Sequence, residues 1–193
     1  MPGDALATGG PARRVVVALM GLPGAGKSTI ARYLLSELPL HGVDRDAIRA
    51  AMFPRCDFTS EEKTAANAAV LAAVDANCRL GRASLVDGMT FARANELEGL
   101  RSRVVSAGYR LLPLCIECPV TVAQTRIAAQ ARAERHLASD RTASLIAEIA
   151  ARFDAPPPDA VRIRGDQPEE EMCRDALAAV LAALGSEQGQ SRL

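Results

Sequence analysis

The chain has 193 residues, 49% of them hydrophobic and only 3% aromatic, with 23 Lys+Arg set against 23 Asp+Glu. A formal charge of zero excludes an overall electrostatic pull toward nucleic acid or anionic membrane, so any such contact would have to be local. The length suits one alanine-rich domain with a proper core, and no apolar stretch approaches the roughly 20 residues a membrane helix needs. Because the N-terminus lacks an apolar signal core and the five cysteines are scattered, a reducing, cytoplasmic setting is expected, with no membrane partner.

Residues 1–12 and 186–193 are small and polar and read as frayed tails around one domain, 13–185. Val15–Met20 is a continuous apolar run, the signature of a buried strand. It leads directly into Gly21-Leu22-Pro23-Gly24-Ala25-Gly26-Lys27-Ser28, followed by Thr29 and a helix to about Leu38. This G-x-x-x-x-G-K-[ST] pattern between strand and helix is a phosphate cradle. Its glycines bring backbone N–H groups and a positive helix end against phosphates, Lys27 reaches the β/γ-phosphates, and Ser28 reaches Mg²⁺. ATP and Mg²⁺ are therefore the expected ligands. Lys27 is also one of only two lysines, the other being Lys63.

A second strand over about 40–43 precedes Asp44-Arg45-Asp46-Ala47-Ile48-Arg49, where a helix starts. Thr59-Ser60-Glu61-Glu62 has the form of a capping box, and Ala66, Ala69, Val70, Ala73, Val74 and Cys78 share one stripe of the long helix that follows. A short buried strand over 83–87, a helix over 95–107, a strand over 109–117 and a helix over about 119–131 continue the alternation. Residues 132–139 are polar and irregular. Ser139 then caps a helix carrying Leu145, Ile149 and Phe153 four apart, ended by Pro156-Pro157-Pro158. A last strand over 160–163 and a helix over about 169–184 complete the chain. Cys115 and Cys118 have the spacing of a metal hook, but in a strand positions three apart point to opposite faces, so no zinc is expected. Five strands alternating with helices predict an α/β fold of the P-loop NTPase type: a three-layer sandwich of a five-stranded parallel sheet, helices on both faces and a small lid at about 130–142. Ligands in such folds sit beyond the carboxyl ends of the strands.

Several residues outside the loop carry chemistry. Asp46 and Arg49 are three apart at a helix start and face the same way, so a carboxylate can deprotonate a hydroxyl while a guanidinium holds an anionic group. The bland alternative is a dipole-stabilised Asp with a solvated Arg. Asp87 closes a short apolar strand, where a carboxylate can hold Mg²⁺ through water beside Ser28, touch the acceptor, or simply form a turn before Gly88. Arg126, Arg132, Arg135 and Arg141 gather around the irregular stretch, suiting a lid that closes over the transferred phosphoryl group; Arg126 is assigned to the nucleotide, and Arg132 and Arg135 to the transition state. His136, also in the lid, reads as a surface residue. Guanine-switching GTPases need an Asn-Lys-x-Asp segment, which the two lysines cannot supply, and motor ATPases need additional subdomains for which there is little room.

Taken together, Gly21–Thr29, Asp44–Arg49, Leu85-Val86-Asp87 and Cys118-Pro119 resemble the P-loop kinases that include polynucleotide 5′-kinases, gluconate kinases, adenylylsulfate kinases and seryl-tRNA kinases. The resemblance implies transfer of the ATP γ-phosphoryl group to a hydroxyl. In polynucleotide kinases an Arg-Asp-x-x-Arg segment supplies the acceptor base and an acceptor-holding arginine, and Arg45-Asp46-Ala47-Ile48-Arg49 matches it. The resemblance further implies that residues 162–166 pack the adenine. The lid departs from the usual Arg-x-x-x-Arg spacing at Gln130. Residues Phe58–Lys63 are similar to the Phe-Ser segment of adenylylsulfate kinases, but the Asp-Arg and Asn-Ile-Arg-Arg signals expected after it are missing. A small-molecule acceptor is expected. A polynucleotide or tRNA acceptor is disfavoured by zero net charge and few aromatics, and a nucleotide-operated binding switch would need no acceptor base.

Overall fold

In the computed structural model, which describes residues 14–132 and 142–185, Val15–Met20 forms β1 with all six residues buried, as a strand covered on both faces requires. It is the middle strand of five. With β2 His41–Asp44, β3 Ser84–Asp87, β4 Arg110–Glu117 and β5 Val161–Arg164, the order is β2-β3-β1-β4-β5 and every pairing is parallel. Val17 aligns with Leu85 on one side and Leu112 on the other.

Alternation along β1 divides the core into two layers. Val15, Val17 and Leu19 pack with residues of α1 Lys27–Glu37, α5 Val120–Arg132, α6 Ala143–Ala151 and α7 Glu169–Gly185, among them Ile30, Leu34, Ile127, Ile146 and Val180. Val16, Ala18 and Met20 pack with Val70, Val74, Leu97 and Leu100 of α3 Ser60–Arg79 and α4 Ala94–Ser106. The expected five-stranded parallel sheet with helices on both faces is what forms. The connection after β1 runs to β2, past β3, and the one after β3 runs to β4, past β1. The carboxyl ends of β1 and β3 are therefore the place where the winding reverses and a crevice opens. Among the described residues, no helix is long and apolar enough to cross a membrane.

Local chemistry explains the starts of the helices. α2, Arg45–Met52, begins where the Asp44 carboxylate accepts from the N–H groups of Asp46 and Ala47 at 2.8 and 3.3 Å. The capping box of α3 forms as expected: Glu62 N–H donates to the Thr59 hydroxyl, and the Glu62 carboxylate accepts from Thr59 N–H. On α3, Ala66, Val70, Val74 and Cys78 are buried while Ala69 and Ala73 are half-buried.

Two boundaries differ from expectation. Ser139 lies outside the described residues, and α6 is capped instead by Thr142, whose hydroxyl accepts from Leu145 N–H at 3.2 Å. The helix also stops at Ala151, before Phe153 and the prolines, because Asp154 N–H turns to the Ala92 carbonyl at 2.8 Å. The Asp154 carboxylate accepts from Ala94 N–H at 2.9 Å and so starts α4. That cap comes from 60 residues away, and local periodicity cannot reveal it.

Candidate functional site

The loop after β1 is pressed against its neighbours so closely that two of its glycines cannot be replaced. Gly21 and Gly24 have φ of 141° and 81°, and a Cβ would stand 2.6 Å from the Ile116 carbonyl oxygen at Gly21 and 2.5 Å from that of Ala123 at Gly24. These are positions only glycine fills, both for backbone conformation and for space. Gly21 N–H donates to the Thr90 carbonyl at 3.1 Å, tying the loop to the segment after β3. Lys27 is only 8% exposed. Its ammonium donates to the carbonyls of Gly21 and Leu22, both at 2.8 Å, so it braces the loop from within. Ser28 is exposed and Thr29 half-buried at the start of α1.

Arg126 does not stand apart in a lid. Its Nη1 donates to the Gly165 carbonyl at 2.7 Å and to those of Ala25 and Gly24 at 3.4 and 3.5 Å, so one guanidinium joins the phosphate loop to the turn after β5. That turn is itself fastened: Gly165 N–H donates to the Glu117 carbonyl at 2.6 Å. Arg164 donates to Asp166 and holds its carboxyl below the usual aspartate range.

At the other end of the crevice, parallel pairing places Asp44 opposite Asp87. Asp44 is committed to capping α2. Asp87 is 5% exposed, and its Oδ1 has no hydrogen-bond partner. The turn that follows is made by Gly88, at φ 80°, whose missing Cβ would meet Arg45 N and the Asp44 carboxylate at 3.0 Å. Asp87 is therefore not spent on the turn. A buried carboxylate oxygen without a partner is costly unless a cation or ordered water meets it, which is the donor chemistry that a hydrated Mg²⁺ requires. The residues present fit that ion.

Asp46 and Arg49 form a buried ion pair at 3.0 Å, with the two residues 5% and 3% exposed. The Arg49 guanidinium also lies 4.7 Å from the centre of the Phe58 ring. Phe58 has φ 57°, a left-handed conformation unusual for an aromatic residue, at the turn that brings its ring there. Arg49 is thus held from two sides, by Asp46 and by the Phe58 ring. Asp46 and Arg49 line a cavity of about 280 Å³ that reaches from Pro23 of the phosphate loop to Met89 and Thr90 after β3. Arg45, Lys63, Asn67 and Arg152 also line it. Sequence reading singles out neither Asn67 nor Arg152; Arg45 enters only as the first residue of the Arg45–Arg49 motif and Lys63 only as the second of two lysines, with no role assigned to either.

The crevice therefore brings together the loop Gly21–Thr29, Asp46, Arg49 and, at the adjoining strand end, Asp87. Arg132 closes α5, but its side chain is not described, and Arg135, His136 and Arg141 lie outside the described residues, as does most of the expected lid. Cys115 packs in the core beneath α3 and α4, and Cys118 against the opposite one. Burial pushes the Cys115 thiol up to about 11 and raises that of Cys118 too.

Known structures share this fold. A gluconokinase from Sinorhizobium meliloti 1021 superposes with a TM-score of 0.70 at 18% identity, over 93% of this chain and 98% of that one. The APS kinase CysC of Mycobacterium tuberculosis, in complex with AMPPNP and APS, does so at 0.63 and 20% identity, over 88% and 98%. The Pnkp1/Rnl/Hen1 RNA repair complex contains a chain similar at 0.62 and 21% identity, over 78% of this chain and 47% of that one. No curated protein matches the sequence. A family model described as an AAA domain matches residues 16–156, and with its strand, phosphate loop and sheet order the chain belongs to that family and has the fold of the P-loop kinases.

Proposed function

We propose that the protein is an ATP-dependent phosphotransferase that moves the γ-phosphoryl group to a hydroxyl of a small molecule. The observation that carries this reading is a cavity lined both by Pro23 of the phosphate loop and by the buried Asp46–Arg49 pair. A switch that only hydrolyses nucleotide has no use for a carboxylate held ready beside a space large enough for an acceptor.

The residues then divide the work. Backbone N–H groups of Gly21–Thr29 cradle the phosphates, and the Lys27 ammonium exchanges its loop carbonyls for β- and γ-phosphate oxygens. Arg126 holds the loop and the turn after β5 in one register, and so sets where the nucleotide lies. Mg²⁺, when bound, would neutralise the phosphates next to Ser28 and Asp87. Asp46 accepts the proton of the attacking hydroxyl, and Arg49 keeps the carboxylate aimed. Arg132 and Arg135, in a lid at about 130–142, steady charge on the transferring group. A cytoplasmic location and the single domain 13–185 belong to the same proposal.

The test is ATP consumption against sugars, sugar acids, nucleosides, adenylylsulfate and 5′-hydroxyl oligonucleotides, with the product mass recorded. A small molecule that gains one phosphoryl group supports the reading. Submicromolar, strongly salt-dependent binding and phosphorylation of an oligonucleotide would replace it with a nucleic-acid kinase.

A further inference from the structure

Two stretches far apart in sequence contribute to the lining of the acceptor cavity: Gly88, Met89 and Thr90 after β3, and Leu145, Ile149 and Arg152 on α6 and at its end. Both stretches run on into one joint. Asp154 N–H donates to the Ala92 carbonyl at 2.8 Å, and the Asp154 carboxylate accepts from Ala94 N–H at 2.9 Å and from Arg93 Nη1 at 3.3 Å. Arg93 Nη1 also donates to the Arg152 carbonyl at 3.3 Å. On the side of the phosphate loop, the Thr90 carbonyl accepts from Gly21 N–H at 3.1 Å. Between Thr90 and Ala92, the buried Phe91 holds φ 48°, a left-handed conformation that persists only where the surroundings impose it. The joint borders a second cavity of about 400 Å³, lined by residues that include Met20, Phe91, Leu97, Asp154 and Pro157. Close packing is therefore incomplete there, and hydrogen bonds hold the two stretches together.

Resting on the kinase reading above, we infer that Asp154 and Arg93 are positioning residues for the acceptor: they lock α6 to the turn after β3 and so fix the width of the acceptor cavity. Neither touches the reacting atoms. Their side chains are 43% and 53% exposed, so the charge of the pair adds little by itself. What they supply is a fixed spacing between two parts of the cavity lining. A displacement of about 1 Å at a reacting centre can cost roughly 100-fold in rate, and a loosened cavity lets water compete for the phosphoryl group.

Hydrogen exchange on the full chain tests the joint without any acceptor. Arg93→Ala leaves the Asp154 cap of α4 in place, yet the amides of residues 145–151 should exchange about tenfold faster than in wild type while those of β1 keep their protection. The kinetic arm uses gluconate, glucose, glycerate, glycerol and adenylylsulfate, with those that the wild type phosphorylates carried forward. In Arg93→Ala and Asp154→Ala, kcat/KM for the acceptor should fall about 10- to 100-fold and the share of ATP lost to water should rise, with the affinity for AMPPNP and Mg²⁺ unchanged. Asp154→Asn, which can still accept from Ala94 N–H and Arg93, should recover most of the loss. Arg93→Ala, at an exposed position, serves alone if Asp154→Ala does not fold. A merely structural role would lower the melting temperature and leave the partition of ATP between ester and inorganic phosphate as in wild type. Unchanged exchange of α6 in Arg93→Ala, or an unchanged partition in the alanine variants, overturns the positioning role while leaving the kinase reading intact. If no compound accepts a phosphoryl group, the kinase reading fails for these acceptors, and the exchange arm alone decides whether the joint holds α6.

Discussion

Replacing Asp46 by Asn separates the two things this carboxylate does. In the wild type it pairs at 3.0 Å with the Arg49 guanidinium, a residue only 3% exposed. Deleting one member of a buried pair outright costs about 3–5 kcal/mol, because the other charge is left without compensation. Asn keeps an oxygen for Arg49 Nη2 to bond, and a neutral hydrogen bond recovers about 1–2 kcal/mol of that. The net loss is therefore about 1–4 kcal/mol, which for a domain of this size is a fall of roughly 2–16 °C in melting temperature. Turnover should fall by about 10²–10⁴, the scale of a lost general base, while ATP affinity stays near wild type. Differential scanning fluorimetry, ATP titration and steady-state kinetics on one preparation read all three. Asp46→Asn/Arg49→Met, which removes both charges, should regain stability without regaining activity. A melting temperature within 1 °C of wild type would show that the pair does not hold α2 as described, and unchanged turnover would remove Asp46 from the chemistry.

Asp87→Asn removes a buried carboxylate that has an unpartnered oxygen, so the protein without ligands should melt at the same temperature or higher, yet lose most of the stabilisation that ATP with Mg²⁺ provides; a variant stabilised by ATP and Mg²⁺ as strongly as wild type would take Asp87 out of metal binding. Gly24→Ala would drive a methyl group to 2.5 Å from the Ala123 carbonyl at φ 81°, and nucleotide affinity should drop at least tenfold in calorimetry, whereas wild-type affinity would mean that the loop yields easily. Burial raises the Cys115 thiol from 9.0 to about 11, so the folded state holds its proton more tightly than the unfolded chain. The associated stability is intact below about pH 9 and is lost as pH rises toward 11; Cys115→Ala should flatten that part of the melting profile, and an unchanged profile would contradict it.

How much the sequence discloses depends on how local the determinant is. Val15–Met20 has no polar position, and the loop after it is specified by residues within eight positions of one another, so strand, cradle and helix are legible together. The Thr59–Glu62 box and the Asp46–Arg49 spacing are equally local. Legibility fails where a partner is distant. Asp154 both ends α6 and caps α4 across 60 residues, overriding the Leu145, Ile149 and Phe153 periodicity. Arg126 has the look of a lid residue because it gathers with Arg132, Arg135 and Arg141 around the irregular stretch, and only its bonds to Gly24 and Gly165, 102 and 39 positions away respectively, show it bracing the cradle. The motif assigns Lys27 to phosphates, and only the folded loop shows its ammonium turned inward to two carbonyls of that same loop. The cavity lining that Arg45, Lys63 and Asn67 supply is assembled from two helices, which no spacing within either one reports.

The central claim is that the crevice delivers a phosphoryl group to a hydroxyl compound rather than to water. Turnover of ATP in ¹⁸O-enriched water, with and without the acceptor identified by the product-mass screen, tests it most directly. A kinase places the phosphoryl group on the acceptor with no solvent ¹⁸O in the new ester, releases little labelled inorganic phosphate when acceptor is present, and loses ester formation in Lys27→Ala and Asp46→Asn. Inorganic phosphate that carries solvent ¹⁸O at the same rate with or without acceptor, and is insensitive to Asp46→Asn, would show a nucleotide-operated switch and contradict the account.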